Sequence, residues 1–186
     1  MPGNDEFFRA VLGNSEGYLG LSFTKEGVWK NKYFDYPSQV SEAVETVTRL
    51  DSKGWDCYFI PSVLRHKHRR KASFKESNVV WIDYDRDTPT EFTPEPNIIV
   101  TTSPNHYHAY WQLTEPATAL VVETTNQSLI ALNDADPSGK DCTQLLRVPN
   151  TLSKKRDYPV EITYMGGTAY PATFFPPTWL LRQTQL

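Results

Sequence analysis

Asp83 and Asp85 stand one residue apart at the end of an apolar, β-branched and aromatic run, Asn78-Val79-Val80-Trp81-Ile82-Asp83-Tyr84-Asp85. Such a run reads as a buried strand. Side chains alternate along a strand, so both carboxylates leave the same face at its C-terminal end. Like charges placed side by side on a sheet repel, and a divalent cation between them is the obvious relief. The plainer reading is a strand that runs into a solvated acid turn, Asp85-Arg86-Asp87-Thr88-Pro89. Chemistry elsewhere in the chain has to decide.

Two further clusters bear on it. Ser103-Pro104-Asn105-His106 is a turn that leads into Tyr107 to Leu113. On that strand His108, Tyr110 and Gln112 share one face, read as polar, and Ala109, Trp111 and Leu113 share the other, read as packing. Strand histidines are more often structural than catalytic, but His108 lies on the polar face beside a turn. Downstream come Asp134, Asp136 and Asp141, then Arg147-Val148-Pro149-Asn150 and Lys154-Lys155. Pro149-Asn150 is a turn pair in which asparagine accepts a left-handed conformation.

The elements that must hold these residues follow from periodicity. Tyr18 to Phe23 alternates as a strand, and a loop passes through Asp35-Tyr36-Pro37. Ser38 is a candidate N-cap for a helix over Gln39 to Leu50, where Val40, Ala43, Val44, Val47 and Leu50 recur at helical spacing. Gly54 stops it, and Trp55 to Ile60 is a second strand closed by Pro61. That β-α-β opening points to an α/β domain rather than a bundle. Asn97 to Thr102 is a third apolar strand. Glu115-Pro116 opens a helix through Leu132, with Leu120, Val121, Leu129, Ile130 and Leu132 expected inside. Val160 to Tyr164 is a last strand, and Phe174, Phe175, Pro176, Pro177 and Trp179 are expected to fold back on the domain. The twelve residues from Leu64 to Lys75 hold six Lys or Arg, with no apolar periodicity. A solvated turn is the default for such a run, yet its place just before the acid strand suits a phosphate backbone.

Composition sets the bounds. The 186 residues, with 39% hydrophobic and 13% aromatic content, suit one folded domain that needs no disulfides. No stretch has the character of a membrane span or a signal peptide. Cys57 and Cys142 give neither a zinc spacing nor a disulfide framework, so a cytoplasmic protein without zinc is expected. A net charge of -3 excludes no nucleic-acid role, because local patches matter more than the total.

Taken in order, Trp81-Ile82-Asp83-Tyr84-Asp85, Ser103-Pro104-Asn105-His106-Tyr107-His108-Ala109-Tyr110-Trp111, and Asp136 through Asp141 to Arg147-Val148-Pro149-Asn150-Thr151 and Lys154 resemble the three motifs of the archaeo-eukaryotic primase superfamily. The branch is that of the primase-polymerases of phages, plasmids and other mobile elements. Each motif alone is weak, whereas the ordered set is specific. The resemblance implies an α+β fold: an RRM-like antiparallel catalytic part over about residues 76–186 and an N-terminal α/β unit over about 1–75, together one domain. It implies a template-dependent nucleotidyltransferase that joins nucleotides to a primer 3'-hydroxyl with two Mg²⁺ or Mn²⁺ ions. Asp83 and Asp85 would hold the ions with a third acid, for which the family spacing favours Asp136, with Asp141 as rival and Asp134 as outsider. His108 and Ser103 would meet the nucleotide's phosphates. Arg147 and Lys154 would complete the cradle, with Lys155 as a substitute for Lys154. Arg65, Lys67, Arg69, Arg70 and Lys71 would guide the template. Implied partners are template DNA, primer, deoxynucleotides or ribonucleotides and a helicase domain or subunit in the same replication module, with no membrane; a bacterial or archaeal host is implied. The chain departs from the family pattern at Asn105 and Asn150, which stand where glycine is usual, and at Ser153, which stands where asparagine is usual.

Two other classes compete. His106-Tyr107-His108 also fits the His-hydrophobic-His pattern of rolling-circle replication endonucleases and relaxases, in which a downstream tyrosine attacks DNA. Against it, Tyr158 and Tyr164 lie in strand-like surroundings and the acid pair has no task. A non-catalytic binder of single strands would stack bases on Trp81, Tyr84, Tyr107, Tyr110 and Trp111 beside the basic loop. It too leaves the acids unexplained.

Overall fold

The computed structural model describes residues 1–87 and 91–183, without the side chains of 179, 182 and 183. In chain order the elements are α1 (Asn4–Leu12), β1 (Gly17–Lys25), β2 (Val28–Tyr36), α2 (Val40–Ser52), β3 (Asp56–Phe59), β4 (Val63–Leu64), β5 (Phe74–Asp85), β6 (Ile98–Ser103), β7 (His106–Ala117), α3 (Ala119–Asn133), β8 (Leu146–Arg147), β9 (Thr151–Ser153), β10 (Tyr158–Met165) and α4 (Thr178–Gln183). The strands form one antiparallel sheet in the order β8-β3-β1-β4-β5-β7-β6-β10-β9, with β2 branching from β1. The fold is therefore α+β. None of the described helices is long and apolar enough to cross a membrane.

The opening differs from the expected β-α-β unit. β2 occupies what reads as a loop in the sequence, and β1 and β3 pair antiparallel. Lys30, Asn31 and Lys32 leave the apolar period of β2 too weak to read, because the strand lies mostly exposed. Its hairpin turn is nonetheless visible in Glu26 (φ 50) and Gly27 (φ 79), the paired positive φ that a two-residue hairpin needs. Ser38 does not cap α2; Gln39 takes that position and its Oε1 accepts from the Asp35 amide at 2.8 Å. Residue 75, near which the N-terminal part was expected to meet the catalytic part, lies in β5, which pairs with β4 on one edge and β7 on the other.

α1 is a helix that composition at the N-terminus hides. Phe7, Phe8, Val11 and Leu12 repeat at helical spacing and are buried, and Asp5 and Glu6 sit in the first turn, where the helix dipole favours acids. Phe7 stacks edge-on to Phe59 at 5.3 Å and to Tyr110 at 5.9 Å, so α1 packs β3 and β7 together. Phe59 is fully buried, and Phe59→Ala is expected to destabilise the fold by about 3–5 kcal/mol through lost transfer energy and the cavity left behind. Urea denaturation monitored by circular dichroism measures it.

β7 runs on to Ala117, so α3 begins after it rather than at Glu115. Thr118 is its cap, with Oγ1 accepting from Val121 N. Val122 and Leu129 are buried as expected, whereas Leu120 is exposed. Tyr110 and Trp111, on opposite faces of β7, are both fully buried, so the face read as polar is core away from its His106–His108 end. Phe175 does return to the core, and the Trp179 side chain lies outside the described residues.

Candidate active site

The acid pair meets the histidines through strand register. Asp83 pairs with His108 and Asp85 with His106 across β5 and β7, so alternation puts all four side chains on one face. On the other edge of β5 the segment after α3 takes the place of a strand. Asn126 Oδ1 accepts from Trp81 N at 2.9 Å, and the Asp136 amide donates to the Asp83 carbonyl at 2.9 Å. Gly139 lies so close that a β-carbon there would stand 3.4 Å from Asp83 Cβ. Trp81 Nε1 fixes the same turn by donating to the Gly139 carbonyl at 3.1 Å.

This backbone pairing brings Asp136 near Asp83. Burial, then Asp136, then Asp85 push the Asp83 carboxyl up to about 6, against the opposing pull of His106 and Arg147. Asp83 thus feels the charge of both Asp85 and Asp136, although among the described residues the group whose ligand atoms already lie close enough together to hold an ion is Glu123, Asp141 and Cys142. The other candidate acids are placed elsewhere. Asp134 caps α3 in a left-handed conformation and pairs with Arg86 at 3.0 Å on the surface. Asp141 accepts from Thr143 N and Oγ1, both at 2.8 Å, and belongs to a second group with Glu123 and Cys142. That group could hold an ion by spacing, but Lys71 already brings positive charge, 3.0 Å from Glu123 and 3.8 Å from Asp141. Burial also pushes the Cys142 thiol up to about 12.

Asp83 and Asp85 open onto a small cavity of about 160 Å³, which Ser103, His108, Arg147, Lys155 and Arg156 line as well. Burial, with Arg147 nearby, drives His108 down to about 3, so its imidazole is neutral at physiological pH. Its Nε2 is 3.6 Å from Asp83 Oδ1, and its Nδ1 is buried without a hydrogen-bond partner among the described residues. Arg147 is held by Asp56 Oδ1 at 2.6 Å and lies 4.9 Å over the Tyr58 ring. Lys154 points away: its Nζ binds Asp51 at 2.6 Å, while its amide donates to Asp56 Oδ1. The neighbouring Lys155 and Arg156 face the cavity instead, and Arg156 reaches Asp85 at 3.8 Å.

His106 is a hub that sequence reasoning considered only for a nuclease. Its Nδ1 is 2.6 Å from Ser103 Oγ, and its Nε2 is 2.9 Å from Asp85 Oδ1 and 2.5 Å from Asp87 Oδ1. Asp51, Asp56, Asp87 and Arg156 were missed as well, since nothing in their local pattern marks them. Asn105 (φ 61) and Asn150 (φ 57) both hold the left-handed conformation that their turns require, so asparagine serves where glycine is usual. In the basic loop, Arg69 Nε donates to the Thr143 carbonyl, Arg65 Nε to the Phe74 carbonyl, and Lys67 lies over the Tyr18 ring. Arg70 is exposed and Lys71 serves the Glu123 group.

The competing readings lose their geometry. His106 is committed to carboxylates, and Tyr164 lines a separate cavity with Asn97 and Gly167. Trp81, Tyr110 and Trp111 are fully buried and Tyr84 nearly so, leaving them unable to stack on bases. A larger cavity of about 550 Å³ lies at the other end of β5, between Arg9, Lys75 and Gln112. Its amides already serve α1, with Asn78 donating to the Leu12 carbonyl and Gln112 to that of Ala10.

Comparison with known proteins decides the family. The model of the RepB DNA-primase N-terminal domain matches residues 68–165, just over half of the chain. The chain belongs to this family. Its fold is that of an archaeo-eukaryotic primase domain. Among solved structures, this RepB-type primase domain is similar in fold to the archaeo-eukaryotic primase domain of the cyanophage S-2L primase-polymerase, with 14% identity, a TM-score of 0.69, and coverage of 95% of this chain and 94% of that one. It is similar also to primase RepB' (17% identity, TM-score 0.69, 98% of this chain and 61% of that one). The catalytic domain of RepB' in complex with initiator DNA matches at 17% identity and a TM-score of 0.68, over 98% of this chain and 92% of that one. No curated protein matches.

Proposed function

We propose that this RepB-type domain extends a primer on a DNA template, joining nucleotides to the 3'-hydroxyl at the Asp83-Asp85-Asp136 corner. The observation that carries the reading is that Asp83 and Asp85 line one small cavity together with Arg147, Lys155 and Arg156, with Asp136 near enough to raise the Asp83 carboxyl. Acids alone would repel a triphosphate; acids that hold cations, facing guanidinium and ammonium groups, receive one. Asp83, Asp85 and Asp136 would hold two Mg²⁺ or Mn²⁺ ions. When bound, these supply a lowered pKa for the attacking hydroxyl and charge neutralisation on the triphosphate.

The chain's own groups do the positioning. Arg147, set by Asp56 and by the Tyr58 ring, offers its fork to phosphate oxygens. Lys155 and Arg156 take the cradle role assigned from sequence to Lys154, whose ammonium is spent on Asp51. His108, kept neutral, donates one hydrogen bond to a phosphate oxygen without adding charge beside Asp83. His106 orients Asp85 and holds Ser103 toward the cavity. Arg65, Lys67, Arg69, Arg70 and Lys71 guide the template, as initiator DNA is bound by the related RepB'. A helicase domain or subunit would complete the replication module.

Purified protein with a labelled primer-template, nucleotides and Mn²⁺ or Mg²⁺ tests the reading; template-dependent extension is expected, and its absence under both metals rejects it. His108→Ala is expected to raise KM for nucleotide about tenfold, the worth of about one charge-assisted hydrogen bond. Template affinity, measured by fluorescence anisotropy, should stay within about twofold on the same scale. Equal losses in both would remove His108 from the triphosphate.

A further inference from the structure

Two carboxylates at the corner between α2 and β3 hold the chain that carries the cavity's cations. Asp56 Oδ1 accepts from Arg147 Nη1 at 2.6 Å and from the Lys154 amide at 2.9 Å. Asp51 Oδ1 accepts from the Leu152 amide at 3.0 Å and from Lys154 Nζ at 2.6 Å. Strand register explains the first of these contacts. Arg147 in β8 pairs with Tyr58 in β3, and Asp56 lies two residues before Tyr58, so their side chains leave one face of the sheet. The Asp56 carboxylate thereby meets the guanidinium at its edge, while the Tyr58 ring lies against it at 4.9 Å.

One oxygen of Asp56 therefore restrains two parts of the cavity wall. It sets the direction of the Arg147 guanidinium, whose plane the Tyr58 ring sets. Through the Lys154 amide it also fixes the start of the turn 154–157, which joins β9 to β10 and carries Lys155 and Arg156. Arg147, Lys155 and Arg156 all line the cavity with Asp83 and Asp85. Asp51 completes the arrangement by drawing the Lys154 ammonium aside and holding β9. Stability alone is a weak account of the Asp56–Arg147 pair. Both side chains are only 12% exposed, so both charges lose hydration, and apolar residues of like size often serve a fold as well. Apolar residues cannot aim a guanidinium. A carboxylate also lowers the pull of Arg147 on an anion, so geometry rather than charge is what it contributes to a phosphate site.

We propose that Asp56 is a positioning residue for the nucleotide's triphosphate, acting through Arg147 on one side and through the turn 154–157 on the other. The proposal rests on the primer-extension reading for the identity of the ligand, whereas its first test needs neither primer nor template. Isothermal titration with dATP in excess Mn²⁺ reads the cradle directly. Asp56→Ala is expected to weaken dATP about tenfold, the scale of one charge-assisted hydrogen bond. Asp56→Asn keeps an oxygen at the same place and loses only the charge, so it should recover most of that affinity. In an Arg147→Met background Asp56→Ala should still weaken dATP, by about 2- to 5-fold, because the Lys154 amide loses its acceptor. Template affinity, read by anisotropy, should stay within about twofold. In extension assays the loss should fall on KM for nucleotide, which a merely loosened fold would not single out.

Wild-type dATP affinity in Asp56→Ala overturns the proposal while leaving primer extension intact. Tighter binding in both Asp56→Ala and Asp56→Asn also overturns it, because the carboxylate would then act only by opposing positive charge. So do equal losses of dATP and template, which would make Asp56 a residue of the fold alone. No effect of Asp56→Ala in the Arg147→Met background would confine Asp56 to one part of the wall and overturn the double role. If circular dichroism shows that Asp56→Ala does not fold, Asp56→Glu carries the test. It keeps the charge and displaces the oxygen by a methylene, so dATP should weaken, and wild-type affinity there overturns the positioning. Failure of the wild type to extend, with the Asp56 effect on dATP preserved, removes the polymerase reading and leaves the cradle standing.

Discussion

Asp83→Ala combined with Asp85→Ala is expected to abolish primer extension, by at least about a thousandfold. Metal-centred charge stabilisation is worth several kcal/mol, and each 1.4 kcal/mol or so is tenfold in rate. The same pair has an opposite signature in the fold, which separates loss of a site from loss of structure. Burial and two neighbouring acids raise the Asp83 carboxyl to about 6 from an ordinary value of 3.8. A carboxyl whose folded pKa is raised stabilises the protein only below its unfolded pKa, and that contribution is lost as pH rises to the folded value. In EDTA the wild type should therefore lose stability between about pH 4 and 6, and Asp83→Asn should flatten that limb and melt higher at pH 7.5. Adding Mn²⁺ should stabilise the wild type at pH 7.5 through preferential binding to the folded state, and should do so far less for Asp83→Asn. Thermal melts across pH, with and without metal, give both results. An Asp83→Asn variant that melts like the wild type in EDTA at every pH would mean that the three acids do not share one field.

How much of this could be read from residue order depends on the range of the interaction. Strand β5 is legible because its pattern is local: apolar alternation ending in two acids one residue apart. The asparagine turns are legible for the same reason, since Asn105 and Asn150 need only their own φ to be explained. Strand β2 is not, because an exposed strand carries little apolar period and draws its pairing from β1. The faces of β7 were half right: His108 does open onto the site, but Tyr110 two residues on is capped by Phe7 from α1, a contact more than a hundred residues away in sequence. Lys154 shows the same limit at a finer scale. Its spacing from Arg147 suits a cradle, yet Asp51 at the end of α2 claims its ammonium and leaves Lys155 and Arg156 to face the cavity. Charge partners across the sheet are invisible to spacing. The third acid is the clearest case, because Asp134, Asp136 and Asp141 are alike as residues, and only the amide of Asp136 is laid against the Asp83 carbonyl.

That backbone bond turns the choice among acids into a measurement. Asp136→Asn keeps an oxygen to accept from the Ser138 amide, now at 2.9 Å from Oδ1, and so preserves the turn while removing the charge. Extension should fall at least about a hundredfold, the scale for losing one charge-stabilising group, and the Mn²⁺-dependent rise in melting temperature should shrink with it. Asp141→Asn should leave extension within about threefold, because its contacts are to Thr143 and, at longer range, to Lys71. Its cost should appear in stability, at up to about 1 kcal/mol, as for a partly exposed ion pair. In EDTA the two variants also diverge with pH. Asp136→Asn removes the first-ranked acidic neighbour of Asp83 and should move the stability limb toward lower pH, whereas Asp141→Asn should leave it in place. Loss of Mn²⁺ stabilisation in Asp141→Asn with its retention in Asp136→Asn would reverse the assignment, and would move the catalytic corner toward Glu123 and Cys142.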